Sequence, residues 1–167
     1  MKAKIIATVL FSIFFLISSG QKVQLKTEQW DVFQLDLTGP STGNPYMEVD
    51  IRAIFKKGKQ RIEVPGFYDG NGFYRIRFSP PSQGKWTYQT KSNIPELNSK
   101  KGKFLCIPPT GKNHGPVKII DTFHLQYADS KPYYAVGTTA YQWTSVKQSI
   151  QDKTLKTLAE APFNKIR

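Results

Sequence analysis

The side chains able to do acid–base, nucleophilic or metal chemistry are few and poorly grouped in this sequence. Twelve Asp and Glu residues are spread over 167 positions. Glu63 and Asp69 are close in sequence, but Asp69 falls in the turn Asp69-Gly70-Asn71-Gly72, so both read as structural. That turn has the opening of a calcium loop, yet the run of ligands does not continue. His114 and His124 lack an acidic or thiol neighbour at a metal-ligating spacing and also read as structural. Cys106, the only cysteine, sits in the strand-like run Lys103-Phe104-Leu105-Cys106-Ile107. A small buried hydrophobe suits that setting; a nucleophile would need a partner, and none is nearby. The expectation is therefore no catalytic residue, metal site or cofactor within this segment.

Two other sets of residues bear on binding. Trp30, Tyr46, Phe67, Tyr68 and Trp86 would form an aromatic platform for polysaccharide if they shared a surface; their place in alternating runs favours core packing. The charge is +12, with clusters at Lys56, Lys57, Lys59 and Arg61 and at Lys100, Lys101 and Lys103. Both clusters are expected in turns rich in glycine or serine. They read either as solvated loops or as an attraction for an acidic surface or acidic polysaccharide. No nucleic-acid-binding motif accompanies them.

The elements that must position these residues begin with an address. Lys2 and Lys4 precede the apolar run Ile5 to Ile17, and Ser18-Ser19-Gly20 follows, which is the pattern of a secretory signal peptide over 1–20 cleaved before Gln21. The run is short of the roughly 20 residues that a spanning helix needs, so a retained anchor is the weaker alternative. The expected location is secreted or periplasmic, with no membrane contact after removal. A single cysteine allows no internal disulfide, so the mature chain must rest on its hydrophobic core.

The central stretch is Pro65 to Tyr88. In Phe73-Tyr74-Arg75-Ile76-Arg77-Phe78, the residues Tyr74, Ile76 and Phe78 share one face, and Trp86, Tyr88 and Thr90 are in phase in the next run. Proline and glycine at 80–84 separate the two. Further strands are predicted over Trp30–Leu37, Val49–Phe55, around Ile62 and Val64 with an end at Pro65-Gly66, and over Phe104–Ile107. Short strands at close spacing without helical period indicate a mainly β, antiparallel sandwich of immunoglobulin-like size over 21–110.

The texture changes after Pro109. Residues 111–131 read as a linker with a small hairpin, Val117 to Ile120 against Phe123 to Tyr127. Tyr133 to Val136 is apolar without alternation, as in a strand covered on both faces. A helix is predicted over Val146 to Ala161, with Ile150, Leu155, Leu158 and Ala159 as its apolar stripe and Pro162 as its stop. Phe163 to Arg167 begins another strand. Strand, helix, strand cannot bury its own faces, so 132–167 is expected to be the start of a larger layer in a longer protein.

Together these stretches resemble a known arrangement: the immunoglobulin-like domain that precedes the catalytic barrel in many bacterial glycoside hydrolases. The matching residues include Glu28-Gln29-Trp30-Asp31-Val32-Phe33, Gly39-Pro40-Ser41-Thr42-Gly43-Asn44-Pro45, Val64-Pro65-Gly66-Phe67-Tyr68-Asp69-Gly70 and Gly84-Lys85-Trp86-Thr87-Tyr88. In the tail they are Asn113-His114-Gly115-Pro116-Val117, Tyr127-Ala128-Asp129, Gly137-Thr138-Thr139-Ala140-Tyr141-Gln142-Trp143 and Pro162-Phe163-Asn164-Lys165-Ile166-Arg167.

The resemblance implies a (β/α)₈ barrel of ~250 residues with its active site at the C-terminal ends of the strands, of which only the first strand, first helix and second strand would be present here. It implies a carbohydrate substrate and a pair of catalytic carboxylates, about 5 Å apart in retaining enzymes, on later strands outside this segment. Thr138, Thr139, Tyr141 and Trp143 would follow the first strand on the reacting face. Trp143 would either stack on a sugar ring or pack against the barrel. Arg167, ending the second strand, would either keep the nucleophilic carboxylate ionised or lie on the surface. The function so implied is the N-terminal part of a secreted glycoside hydrolase, its sandwich bracing the barrel. The alternative is a carbohydrate-binding or adhesion-like module without catalysis.

Overall fold

The structure is a computed structural model and describes residues 25–167; the expected signal segment lies outside the described residues. The fold is mainly β. Strands β1 (Lys26–Glu28) and β2 (Phe33–Thr38) precede a short helix α1 (Pro45–Glu48). Then come β3 (Ile51–Lys57), β4 (Gln60–Tyr68), β5 (Phe73–Phe78), β6 (Gly84–Ser92) and β7 (Lys101–Ile107). A hairpin follows, β8 (Val117–Ile120) and β9 (His124–Tyr127). The chain ends with β10 (Gly137–Thr138), a 3₁₀ turn (Trp143–Ser145), α2 (Gln148–Glu160) and β11 (Lys165–Ile166).

The first seven strands form one sheet in the order β1-β7-β6-β3-β4-β5-β2. It is antiparallel except where β1 runs parallel to β7. The sheet does not stay flat, because its two ends touch. Phe33 of β2 stacks on Phe104 of β7 with ring centroids 4.0 Å apart, and Phe55 of β3 stacks on Phe78 of β5 at 4.1 Å. The bend lies in β4, which pairs with β3 as far as Pro65 and with β5 from Gly66 onward. Proline has no N–H to give to a ladder, and a side chain on Gly66 would come within 2.7 Å of Ile76 and 2.9 Å of the Arg75 carbonyl. The pair expected to end the strand instead turns it from one layer to the other.

The core follows the period of two read from the sequence. Tyr74 and Ile76 are fully buried and Phe78 nearly so, as are Ala53, Phe55, Trp86 and Phe104. Each large side chain so removed from water contributes about 1.5–3 kcal/mol. Polar tips are satisfied: the Tyr74 hydroxyl donates to Pro40 O at 2.7 Å and the Trp86 indole N–H to Ser82 O at 2.9 Å. Buried Thr90 donates to Leu97 O at 2.6 Å and accepts from the Lys100 N–H, which pins the loop after β6. The turn at 69–72 is a tight reversal with positive φ at Gly70, Asn71 and Gly72.

Three further expectations need correction. Trp30 is not a strand residue but sits in a turn at φ 69°, its N–H bonded to Pro80 O. Strand β1 has too few residues to show a period. The basic clusters lie mostly in strands rather than turns: Lys56 and Lys57 are in β3, Arg61 in β4, and Lys101 and Lys103 in β7. Tyr133 to Val136 is not a strand. Its backbone is bonded to Leu125 O and to the side chain of Asn164 instead, and the strand is the dipeptide Gly137-Thr138, which pairs parallel with Lys165-Ile166. A parallel strand takes its bonds from its neighbours, and the stretch 165–167 is all that this one pairs with among the described residues.

Candidate functional site

The tail is a parallel β–α–β unit. Beyond the last ladder pair, Thr138↔Ile166, the Arg167 N–H donates to Thr138 O at 3.0 Å, and the Ala140 N–H donates to Arg167 O at 3.0 Å. The backbone of Arg167 is thereby held beside the exit of β10. The chain then reverses at Gln142, which has φ 56°, and enters the 3₁₀ turn. Gln151 fixes this turn: its side-chain amide donates to Val146 O at 2.8 Å, while its backbone carbonyl accepts the Trp143 indole N–H at 3.3 Å. Trp143 is thus strapped, half-buried, along the start of α2.

Between the β10 exit and α2 is a cleft of about 340 Å³. It is lined by Thr138, Thr139, Tyr141 and Trp143 together with Val146, Ile150, Thr154 and Leu158. Four of the five tail positions singled out from sequence therefore share one cleft, and Arg167 adjoins it through its backbone without lining it. The cleft offers hydroxyls, an indole and an apolar wall. That equipment can hold a ring by stacking and hydrogen bonds; the titratable group in its lining is the Tyr141 phenol, and no carboxylate, histidine or thiol lines it. No residue of α2 is buried, and the expected stripe residues Ile150 and Leu155 are 51% and 50% exposed.

The titratable groups elsewhere are engaged structurally. Glu63 accepts from Arg52 and pairs with Arg61, and the Arg52 hydrogen bond holds its carboxyl below the ordinary value. Asp69 pairs with Arg75. Burial pushes the Cys106 thiol up, with nearby Lys57 only partly opposing it, which makes the thiol a poor nucleophile. Among the described residues, no group of three or more His, Cys, Asp or Glu is placed to hold a metal ion. The aromatic set is dispersed. Trp86 is in the core, Tyr46 meets Tyr68 edge to face, and Phe67, on the other face of β4, lies under Arg77.

One constellation escaped the sequence reading, although most of its members lie in the quoted motifs; Thr110 does not. Glu28 accepts from the hydroxyl and the N–H of Thr110 and from the Asn113 amide. Trp30 packs so tightly on Gly115 that an added Cβ would fall 2.5 Å from its ring. His114 Nδ1 lies 2.7 Å from Asp129 Oδ2. These contacts join the sheet to the β8–β9 hairpin. Local spacing could not reveal them, because Glu28 and Asn113 are 85 positions apart.

Residues 26–93 match the family described as a domain of unknown function (DUF5060). No curated protein matches the chain. Among solved structures, the chain is similar to a protein from Bacteroides vulgatus described as a "putative glycoside hydrolase". The two sequences are 45% identical, the TM-score is 0.77, and the similarity covers 86% of this chain and 28% of that one. A share of 86% exceeds what residues 1–107 can supply, so the likeness extends beyond the seven-stranded sheet into the tail. The chain spans less than a third of that protein's length. It is related to a glycoside hydrolase-like protein through a β-rich portion.

Proposed function

We propose that the chain is the accessory and opening catalytic portion of a secreted glycoside hydrolase. Residues 21–110 act as an immunoglobulin-like sandwich bracing a (β/α)₈ barrel that begins at 132–167. The observation that carries this is the parallel β10–α2–β11 unit with no buried helical residue, in a chain similar to 28% of a much longer protein. A parallel unit of this kind is stable only when further strands and helices cover it. In such a barrel the β10 exit faces the substrate. Thr138, Thr139 and Tyr141 then offer hydroxyls to a carbohydrate and Trp143 an indole face, while Arg167 steadies a carboxylate supplied by a later strand. The basic head and apolar run of residues 1–20 support export.

The test is to express the whole reading frame that contains this chain and to measure reducing-sugar release from a panel of plant and microbial polysaccharides. Hydrolysis is expected. It should fall at least tenfold in kcat/KM on Trp143→Ala while the sheet stays folded. A folded product inert on every polysaccharide would overturn the reading.

A further inference from the structure

The outer face of β3, β6 and β7 carries charge that the hydrolase reading leaves unused. Alternation turns Phe55, Trp86 and Phe104 inward, so the neighbouring residues of each strand face out. The register sets Ile54, Gln89 and Lys101 in one row across the three strands and Lys56, Thr87 and Lys103 in the next; Arg52 faces Lys91 on the far side. Neighbours in this array are about 4.8 Å apart across strands and about 6.7 Å apart along them. The acids at hand, Asp50 and Glu63, are engaged by Arg52 and Arg61. Among the described residues, Lys56, Lys91, Lys101 and Lys103 enter no ion pair, although all four are exposed. Like charges crowded on a sheet repel, so the face stays short of anions unless a ligand supplies them.

The face is also hollowed. Lys56, Lys91 and Lys101, with Thr87 and Gln89, rim a depression of about 410 Å³. It adjoins a second of about 480 Å³, which shares Gln89 and Lys91 and adds the amide of Asn98 and the Arg52–Asp50 ion pair. Asn93, also in its lining, is committed to the Asp50 N–H and to Glu48 O. Ile54 faces out, yet is only 8% exposed at the floor. Two joined hollows with cations at intervals, and amides and hydroxyls between them, suit an extended polyanion that also carries hydroxyl groups.

We infer that this groove binds an acidic polysaccharide, its carboxylates or sulfates meeting Lys56, Lys91 and Lys101 and its hydroxyls meeting Gln89, Thr87 and Asn98. Single-stranded nucleic acid would want an exposed aromatic platform, and Tyr88, the aromatic residue of the groove, packs against the Phe33 and Phe55 rings of the core. A lipid surface would want exposed apolar side chains, and the floor isoleucine is covered. The choice of a polysaccharide rests partly on the hydrolase reading. Binding is measured without hydrolysis, so either proposition can fail while the other stands.

The experiment is affinity electrophoresis of the chain through gels containing dextran, dextran sulfate or polygalacturonate. Retardation is expected in one or both anionic gels and not in dextran, declining as salt is raised; the two anionic gels tell sulfate from carboxylate. The triple variant Lys56→Gln, Lys91→Gln, Lys101→Gln should lose about tenfold in retention, the sum of three modest screened contacts. The matched triple Lys147→Gln, Lys153→Gln, Lys156→Gln, at the N-cap and along α2, removes equal charge and should change it less than twofold. Lys91→Glu alone, at the junction of the hollows, should lose several-fold. Absence of retardation, equal loss in both triples, or tighter binding to duplex DNA or phosphatidylserine vesicles than to either polyanion would each overturn the inference.

Discussion

The sheet and the tail of this chain solve the burial problem in opposite ways. Every buried residue among those described lies between Phe33 and Cys106, while the tail after β7 buries none. The sheet covers itself by bending at β4, so that one face of its own strands serves as the other's partner. The β10–α2–β11 unit has an apolar helix face, Ile150 and Leu158, which with Val146 lines a cleft rather than a core. An antiparallel sheet can close on itself, whereas a parallel unit needs neighbours, and that difference separates a self-sufficient body from one that depends on partners.

The strongest way to break this contrast is to truncate one side chain in each region. Trp86→Ala should cost about 3–5 kcal/mol, a large part of a domain's stability, because the fully buried indole packs on Phe78 and bonds Ser82. Leu155→Ala, at a half-exposed helical position, should change stability by less than about 0.5 kcal/mol. Urea unfolding followed by far-UV circular dichroism measures both. Comparable losses would mean that the tail is as tightly buried as the sheet.

The same contrast governs what could be read in advance. Strands β3, β5 and β6 were legible because one wet and one dry face write a period of two, as in Tyr74, Ile76 and Phe78. The helix α2 was legible from its own period and from Pro162. The bend at Pro65-Gly66 was not, because a residue pair that ends a strand and one that redirects it have the same composition. Tyr133 to Val136 misled because continuous apolarity does not specify a ladder, and here its backbone bonds go to Leu125 and Asn164. The cleft at Thr138, Thr139, Tyr141 and Trp143 was placed by resemblance rather than by spacing, and the lysine groove needed register, since Lys91 and Lys101 become neighbours only across β6 and β7.

A middle-sized effect is expected where the two regions meet. Gly115 has φ 75°, and a methyl group there would lie 2.5 Å from the Trp30 ring and 2.9 Å from the Ala128 side chain. Gly115→Ala should cost about 1–3 kcal/mol, from backbone strain and overpacking together. The cost should be local: amide exchange should quicken over residues 114–131 while the amides of β3 and β6 keep their protection. Equal quickening in the sheet would show that the joint is part of the core rather than a contact between two bodies.

The smallest and most specific effect should come from pH at the same joint. The Thr110 hydroxyl, the Asn113 amide and the Thr110 N–H hold the Glu28 carboxyl below its ordinary value. Burial alone would push the Asp129 carboxyl up, but the Lys131 N–H, the His114 ring and the Lys131 charge outweigh it and hold it low as well. A carboxyl depressed in the folded state adds stability that is complete above its unfolded value, near 4.3 for Glu, and that is lost as pH falls through the folded value. Amide exchange over 110–129, corrected for its intrinsic rate, should therefore be independent of pH above about 5 and quicken below about 4. Strand β3 is itself tied to a depressed carboxylate, Glu63 of β4 held by Arg52, so the control is β6 around Trp86, which pairs with Phe104 and should show no such break. Glu28→Gln should weaken the joint at neutral pH and flatten the acid-side slope, leaving only the share due to Asp129. An unchanged slope in that variant would assign the acid sensitivity to Asp129 and its histidine, and would move the pinning of the hairpin from the Glu28 cluster to that pair.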